Sequence, residues 1–393
     1  MSDQPDAELL PRPSAEALAH SDRMQTRIHE AIAARGGAIR FAEFMDLALY
    51  APGLGYYSAG ATKFGAAGDF VTAPEVSAVF AECLATGFAE VLGTTGGDIV
   101  ELGAGSGMLA AGLLGALQAR NVFPQRYRIV EVSADLKDRQ RRLIADKVPA
   151  MSDRVEWLDA LPAAVDGVIV ANELLDALPV ERFRVTDSGG EYLGVSGADS
   201  ILRWTALPGD EPLRRQLQLI ERTTGAKLPD GYVSEWCPRL SPMVADLSSR
   251  LQHGLLMFVD YGLPRRELYH PQRDRGSLIC HYRHRAHADP FLFPGLQDIS
   301  AWVDFTTVAE AATGAGLVLD GFTTQAHFLI DSGLPDPQAR AGSDLRSRVE
   351  LSRQVAALTL PGEMGERFKV MAFSRDWDAR LPGLTGKDLS GSL

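Results

Sequence analysis

The sequence predicts an α/β fold: a Rossmann-like, mostly parallel sheet with a helical N-terminal section and an inserted accessory region. Three observations predict it. Strand patterns alternate with helical ones from Asp98 onward, a glycine-rich turn sits at the first strand-to-helix junction, and the alternation breaks off after Ala171.

The 393 residues, 46% of them hydrophobic, exceed one ordinary core, so a large domain plus a smaller region is expected. Residues 1–20 read as a disordered lead-in, 21–95 as the helical section, 96–375 as the α/β domain with insertions at about 181–240 and 262–304, and 376–393 as a loosely held tail. Between Asp22 and Arg35 the residues Met24, Ile28 and Ile32 recur at helical spacing, and Gly36-Gly37 ends the run. A second helix is expected over Arg40 to Leu49, and an apolar helix ends at Leu92.

The alternating part reads as strand Ile99 to Leu102, helix Met108 to Ala119, strand Tyr127 to Val132, helix Ala134 to Ala145, a short strand Val155 to Leu158 and the buried strand Gly167 to Ala171. Arg182 to Val185 and Glu191 to Val195, joined through Ser188-Gly-Gly190, form a predicted hairpin. A helix near Pro242 to Leu251 and the strand Leu255 to Asp260 resume the pattern, and helix Phe305 to Thr313 with strands Leu317 to Thr323 and Phe368 to Phe373 completes it. The stretch from Gly262 to Asp304 reads as irregular, too long for an ordinary connection and therefore a candidate functional cover.

A net charge of −12 argues against a general nucleic-acid binder. Three scattered cysteines suggest neither a disulfide framework nor a zinc ribbon, and His281, His284 and His287 lack a second ligand cluster, so no metal is expected. The opening residues lack a secretory or transit pattern, and no apolar run approaches the roughly 20 residues that span a bilayer. A cytoplasmic protein without membrane contact is the expectation, and the oligomeric state stays open.

The chemistry centres on Ile99-Val-Glu-Leu-Gly-Ala-Gly-Ser-Gly-Met-Leu109, where a strand runs through three glycines into a helix. Glycines let the backbone turn sharply and approach a ligand, while the helix presents free N–H groups. A dinucleotide would prefer G-x-G-x-x-G, which fails here at Met108, so the pattern points to S-adenosyl-L-methionine, which has no pyrophosphate to cradle. Glu101, Gly103, Gly105 and Gly107 are the candidates of this turn. Glu131, near the end of the second strand, is placed to accept both ribose hydroxyls, and Asp159 stands where an adenine edge is commonly met. The third strand ends in Asn172, Glu173 and Asp176, polar residues expected to face the site, with Glu173 the first choice for substrate contact.

Taken together, Gly68-Asp-Phe-Val-Thr-Ala-Pro-Glu75, Glu101-Leu-Gly-Ala-Gly-Ser-Gly107, Asn172-Glu-Leu-Leu-Asp-Ala-Leu-Pro179, Asp260-Tyr-Gly262 and Pro294-Gly-Leu-Gln-Asp-Ile-Ser300 resemble the MidA family of methyltransferases over roughly residues 20 to 375. The resemblance implies a class I methyltransferase sheet. It also implies that Gly68, Asp69 and Thr72 help to close the cofactor pocket. Eukaryotic members are mitochondrial complex I assembly factors that methylate protein arginine, which implies a protein substrate. The chain departs from the family at Trp302, where members often carry His.

An arginine acceptor stays protonated at neutral pH and asks for one or two carboxylates to hold its guanidinium. Glu173, Asp176 and either Glu75 or Glu235 are candidates, with Asn172 beside them. Three alternatives stay open: a methyltransferase of a small molecule or another nitrogen or oxygen nucleophile, a non-catalytic assembly factor that retains the pocket, and an enzyme of a nicotinamide cofactor, which binding of that cofactor would reveal.

Overall fold

Ser14 sets where the first helix begins. In the computed structural model, which describes residues 10–58, 72–198, 201–334 and 344–393, its hydroxyl accepts the Ala17 N–H at 3.2 Å and caps α1 (Ala15–Ala34). Helix α1 therefore starts inside the stretch expected to be disordered. A serine cap followed by an acid in the first turn was a usable signal. The predicted stripe Met24, Ile28 and Ile32 is fully buried. After it come β1 (Ala38–Ile39), α2 (Phe41–Tyr50), the single turn α3 (Ala73–Val76) and α4 (Ala78–Thr95).

The alternating region follows the sequence reading closely: β2 (Asp98–Leu102), α5 (Met108–Ala119), β3 (Tyr127–Val130), α6 (Ala134–Lys147), β4 (Val155–Leu158) and β5 (Val165–Asn172). The predicted hairpin is present as β6 (Glu181–Thr186) and β7 (Gly189–Ala198). Unforeseen were β8 (Ile201–Pro208), α7 (Glu211–Thr224) and β9 (Val233–Trp236). Then come α8 (Leu240–Arg250), β10 (Leu251–Leu263), α9 (Arg265–Leu268), β11 (Ile279–Tyr282), β12 (Arg285–His287), β13 (Asp298–Ser300), β14 (Val303–Asp304), α10 (Phe305–Gly314), β15 (Val318–Thr324), α11 (Gln325–Asp331), α12 (Leu345–Thr359), α13 (Met364–Arg367) and β16 (Phe368–Arg375).

These elements form two units. One comprises the described parts of Met1–Phe70, Asp176–Leu240 and Leu263–Asp304; the other those of Val71–Leu175, Ser241–Gly262 and Phe305–Leu393. The second holds the main sheet in the order β15-β16-β10-β5-β2-β3-β4. Strands β10, β5, β2, β3 and β4 run parallel, and β16 is antiparallel to both its neighbours. Val168, Ile169 and Val170 of β5 are wholly buried, as expected of a central parallel strand covered on both faces. The first unit is a separate antiparallel assembly, β1-β7-β6-β9 with β8 on β7, beside a three-stranded sheet β12-β11-β13.

The expected irregular cover over 262–304 is interrupted by one short helix and four short strands, α9 and β11 to β14, with irregular chain between them. Arg283 and His284, at φ +47 and +61, make the two-residue turn between β11 and β12 that Asn-Gly commonly makes, so the usual hairpin signal was missing. Arg265, fully buried, pairs with buried Asp304 at 2.9 Å in this unit. Breaking a buried pair by removing one partner costs about 3–5 kcal/mol, so Asp304→Ala should unfold well below the parent in a urea titration; an unchanged midpoint would contradict the pairing.

The expected loose tail is also corrected. Trp377 and Leu381 are buried in the core of the second unit. Asp331 Oδ2 accepts the Thr385 N–H and hydroxyl, each at 2.8 Å, and Leu389 N–H donates to Phe322 O at 2.6 Å along edge strand β15. Among the described residues no helix is long and apolar enough to cross a membrane.

Candidate functional site

Strand β2 delivers the chain to its carboxyl end and then turns through Gly103, Gly105 and Gly107, at φ +67, +51 and +87. All three lie in the left-handed region where a Cβ is strained, which is why the turn is glycine. A Cβ on Gly103 would lie 2.9 Å from Leu174 Cδ1, and one on Gly107 would press the stem of Gln140. Register places two polar strand ends level with this turn. Leu102 is opposite Val130 on one side and Ala171 on the other, so Glu131 and Asn172 flank Gly103.

Glu131 is buried, and burial raises its pKa, partly offset by the Ser133 N–H and Gln140 amide that it accepts. Gln140, which belongs to no motif of the sequence, ties the turn, Glu131 and β4 together. On the inward face of α6 with Leu136 and Ile144, its Nε2 donates to Gly105 O at 3.0 Å and Glu131 Oε2 at 3.4 Å, and its oxygen accepts Trp157 Nε1 at 2.9 Å. The signal available was a glutamine at a core position of an amphipathic helix, where a polar group must find partners. Val132, next to Glu131, is 81% exposed and offers an apolar face to a flat ring.

On the other flank, β5 ends at Asn172 and Glu173 adopts φ +51. Glu173 Oε1 accepts the Ala73 N–H at 3.3 Å and Asn172 Nδ2 at 3.2 Å. Burial pushes its carboxyl up to about 8, reinforced by the charge of Asp260. Among the described residues no donor reaches buried Asn172 Oδ1. A buried acceptor left unpaired costs about 1–3 kcal/mol, so this amide is poised for an incoming N–H.

The remaining candidates are placed differently. Glu101 is buried within β2, its carboxylate accepting the Tyr127 hydroxyl at 2.7 Å, and burial raises its pKa to about 7. It lies beneath the turn. Asp159 follows the end of β4, level with Glu131 by the β3–β4 register, and its side chain, 89% exposed, pairs with Lys137, which lowers its pKa. Asp176 is buried in the first unit, its backbone oxygen accepting Ala301 N–H at 3.0 Å. Glu235, also of that unit, is engaged with Arg182 at 3.3 Å and the Ser277 N–H at 2.7 Å, which makes it a structural carboxylate there. Thr72 starts α3, its N–H donating to Glu75 at 3.3 Å. Gly68 and Asp69 lie outside the described residues. Among the described residues no group of three or more His, Cys, Asp or Glu is arranged to hold a metal.

The donor set fits a nucleoside bearing a sulfonium. It comprises a buried carboxylate able to accept sugar hydroxyls, a left-handed glycine turn with room that a Cβ would fill, and an exposed valine beside the carboxylate. Residues 81–323 match the profile of a family described as S-adenosyl-L-methionine-dependent methyltransferase. A Burkholderia thailandensis protein crystallised with S-adenosyl-homocysteine is 42% identical, with a TM-score of 0.93 over 98% of this chain and 100% of that one. Protein arginine methyltransferase NDUFAF7, mitochondrial, is 29% identical in Mus musculus over 371 residues, 86% of this chain and 81% of that protein. Its Homo sapiens counterpart is 28% identical over 371 residues, 86% and 80% of the two chains.

Proposed function

Since this chain belongs to the S-adenosyl-L-methionine-dependent methyltransferase family, we propose that it transfers methyl to an arginine side chain of a protein, with Glu173 and Asn172 as the acceptor's ligands. When bound, the cofactor supplies a methyl group on a positively charged sulfur, so the protein has mainly to align a nucleophile and exclude water. In this reading Glu131 holds the ribose, and the turn Gly103 to Gly107 lets the backbone come close. Glu173, as carboxylate, attracts the guanidinium and takes the proton that its nitrogen loses as the methyl bond forms, and Asn172 Oδ1 accepts one of its N–H groups.

The observation that carries the proposal is the pairing of a carboxyl with an amide oxygen that lacks a donor among the described residues, level with the glycine turn. A guanidinium presents adjacent donors in a rigid fork and satisfies both at once. The names of the mouse and human relatives support the same acceptor. Those names also place the relatives in mitochondria, while for this chain the cytoplasm remains our proposal.

The test is methyl transfer from tritiated S-adenosyl-L-methionine into an extract. The expected result is label in protein, recovered as methylated arginine after acid hydrolysis. Label in small molecules would move the acceptor to another nucleophile, and cofactor binding without any label would leave an assembly factor. Gln140→Ala should raise the cofactor Kd by about tenfold in calorimetry, because it frees the Gly105 and Glu131 acceptors it now orders, a loss of about 1–2 kcal/mol. A Kd within twofold of the parent would remove Gln140 from the cofactor seat.

A further inference from the structure

Strand β5 ends in a backbone that resists its own conformation. Glu173 carries a side chain at φ +51, and positions of that kind persist only where surrounding contacts over-determine them. Three successive amides here are held by the end of β10. Glu173 N–H donates to Val259 O at 2.8 Å, and the Leu174 and Leu175 amides both donate to Asp260 Oδ2, at 3.1 and 2.8 Å. The other carboxylate oxygen accepts Tyr261 N–H at 2.9 Å. Asp260 is 1% exposed, so one buried side chain fixes the two peptide units that follow Glu173.

We infer that Asp260 is the positioning residue of the acceptor site: by taking the Leu174 and Leu175 amides it holds the left-handed turn and so aims the Glu173 carboxyl. The inference rests on the role proposed for Glu173. Asp260 adds something a purely structural cap would lack. Its negative charge stands beside Glu173 and, after burial, is the larger of the two carboxylate influences that keep the proton there; Glu75 is the other. From β16 the register partner of Asp260 is Lys369, whose ammonium is held by the carbonyls of Glu366 and Arg367. An amide at position 260 removes the charge and leaves one acceptor oxygen where two are used, its NH2 facing either the Leu174 and Leu175 amides or the Tyr261 N–H, so it loosens the turn as well as the hold on the Glu173 proton.

The experiment is a double-mutant cycle in the full chain with Asp260→Asn and Glu173→Gln. Two quantities are read: cofactor Kd, and the pH dependence of initial label transfer from tritiated S-adenosyl-L-methionine into extract protein. Asp260→Asn is expected to leave the cofactor Kd within twofold, lower transfer at the pH optimum by about tenfold, and move the rising limb of the profile toward acid. In the Glu173→Gln background it is expected to have no further effect, as two members of one unit behave. Multiplying losses, or an unmoved limb, would overturn the role of Asp260 while leaving Glu173 in place. Full transfer by Glu173→Gln alone would instead remove the reading on which the inference rests. Should Asp260→Asn fail to fold, amide hydrogen exchange in the unaltered protein decides: Leu174 and Leu175 are expected to be protected like the end of β5, and exchange at the rate of open loop would overturn the inference.

Discussion

Replacing Glu173 by glutamine is expected to lower methyl transfer by about 100-fold or more, the usual scale for removing a group that stabilises charge at a reacting centre. The cofactor Kd should stay within twofold, because Glu131 lies across β2 from Glu173 and the glycine turn is built from backbone that the substitution leaves in place. The parent's pH profile supplies the second half of the prediction. Burial first, and then Asp260, hold the Glu173 carboxyl at about 8, so at neutral pH most free enzyme carries it protonated and unable to attract a cation. kcat/KM should therefore rise with pH, with a midpoint about 8. An arginine acceptor stays charged throughout, so the rise reports the enzyme. Once a guanidinium is bound it favours the carboxylate, and the kcat profile should lie to the acid side of the kcat/KM profile. Glutamine at 173 should flatten both. A normal rate, or an unchanged limb, would take Glu173 out of the reaction.

The same displaced proton acts on folding. For an acid raised from the ordinary glutamate range to about 8, the unfolded chain ionises first. The stabilisation is full below the ordinary range and is lost as pH climbs toward 8. Urea titrations at pH 5 and 8 should show a smaller difference in Glu173→Gln than in the parent. Part of the slope should survive, since Glu101 is displaced in the same direction by burial.

Ending the chain at Arg375 is expected to remove most of its stability. The loss takes Trp377 and Leu381 out of the second unit's core, where Leu381 packs on Gly87 so closely that a Cβ there would lie 2.7 Å from Leu381 Cδ1. Large-to-small changes at such sites cost about 2–5 kcal/mol each, against a whole-domain stability of about 5–15 kcal/mol. The edge strand β15 would also lose the bond from Leu389 and expose its backbone to other chains. The shortened protein should accumulate mainly as aggregate, and Trp377→Ala in the full chain should lower the urea midpoint measurably. A soluble shortened protein with an unchanged Tm would restore the picture of a loose tail.

The main sheet was legible because its strands are short continuous apolar runs and its helices carry long apolar faces. Boundaries at β2, α5, β4 and β5 were read to within a few residues. The glycine turn and Glu131 were legible for a related reason, since a turn needing positive φ and an acid at a strand end both write themselves locally. The first unit was legible only in α1, α2 and the hairpin of β6 and β7. Strands such as β8, with its outer and inner faces weakly distinguished, carry no clean alternation, and the turn at Arg283-His284 has unusual residues for its geometry. Asp260 lies 85 positions from the Leu175 amide that it accepts, and no local pattern records such a bond. Trp377 and Leu381 sit among glycine and proline, so their burial depended on a partner surface far back in the chain. The partner of Asp159, the mostly covered Lys137 side chain of α6, is a pairing that the spacing could not foresee.

The first unit is stitched from three stretches of chain, and this has a consequence for birth on the ribosome. Ala38 must wait for Ser196 to complete its ladder, and Cys280 joins the core built by α1 and α2 still later. Closing such distant loops costs little extra free energy but takes time. Until the later segments emerge, Met24, Ile28, Phe41 and Phe44 have no permanent cover. Nascent chains paused in that interval would be sticky, and holding chaperones should be needed most there.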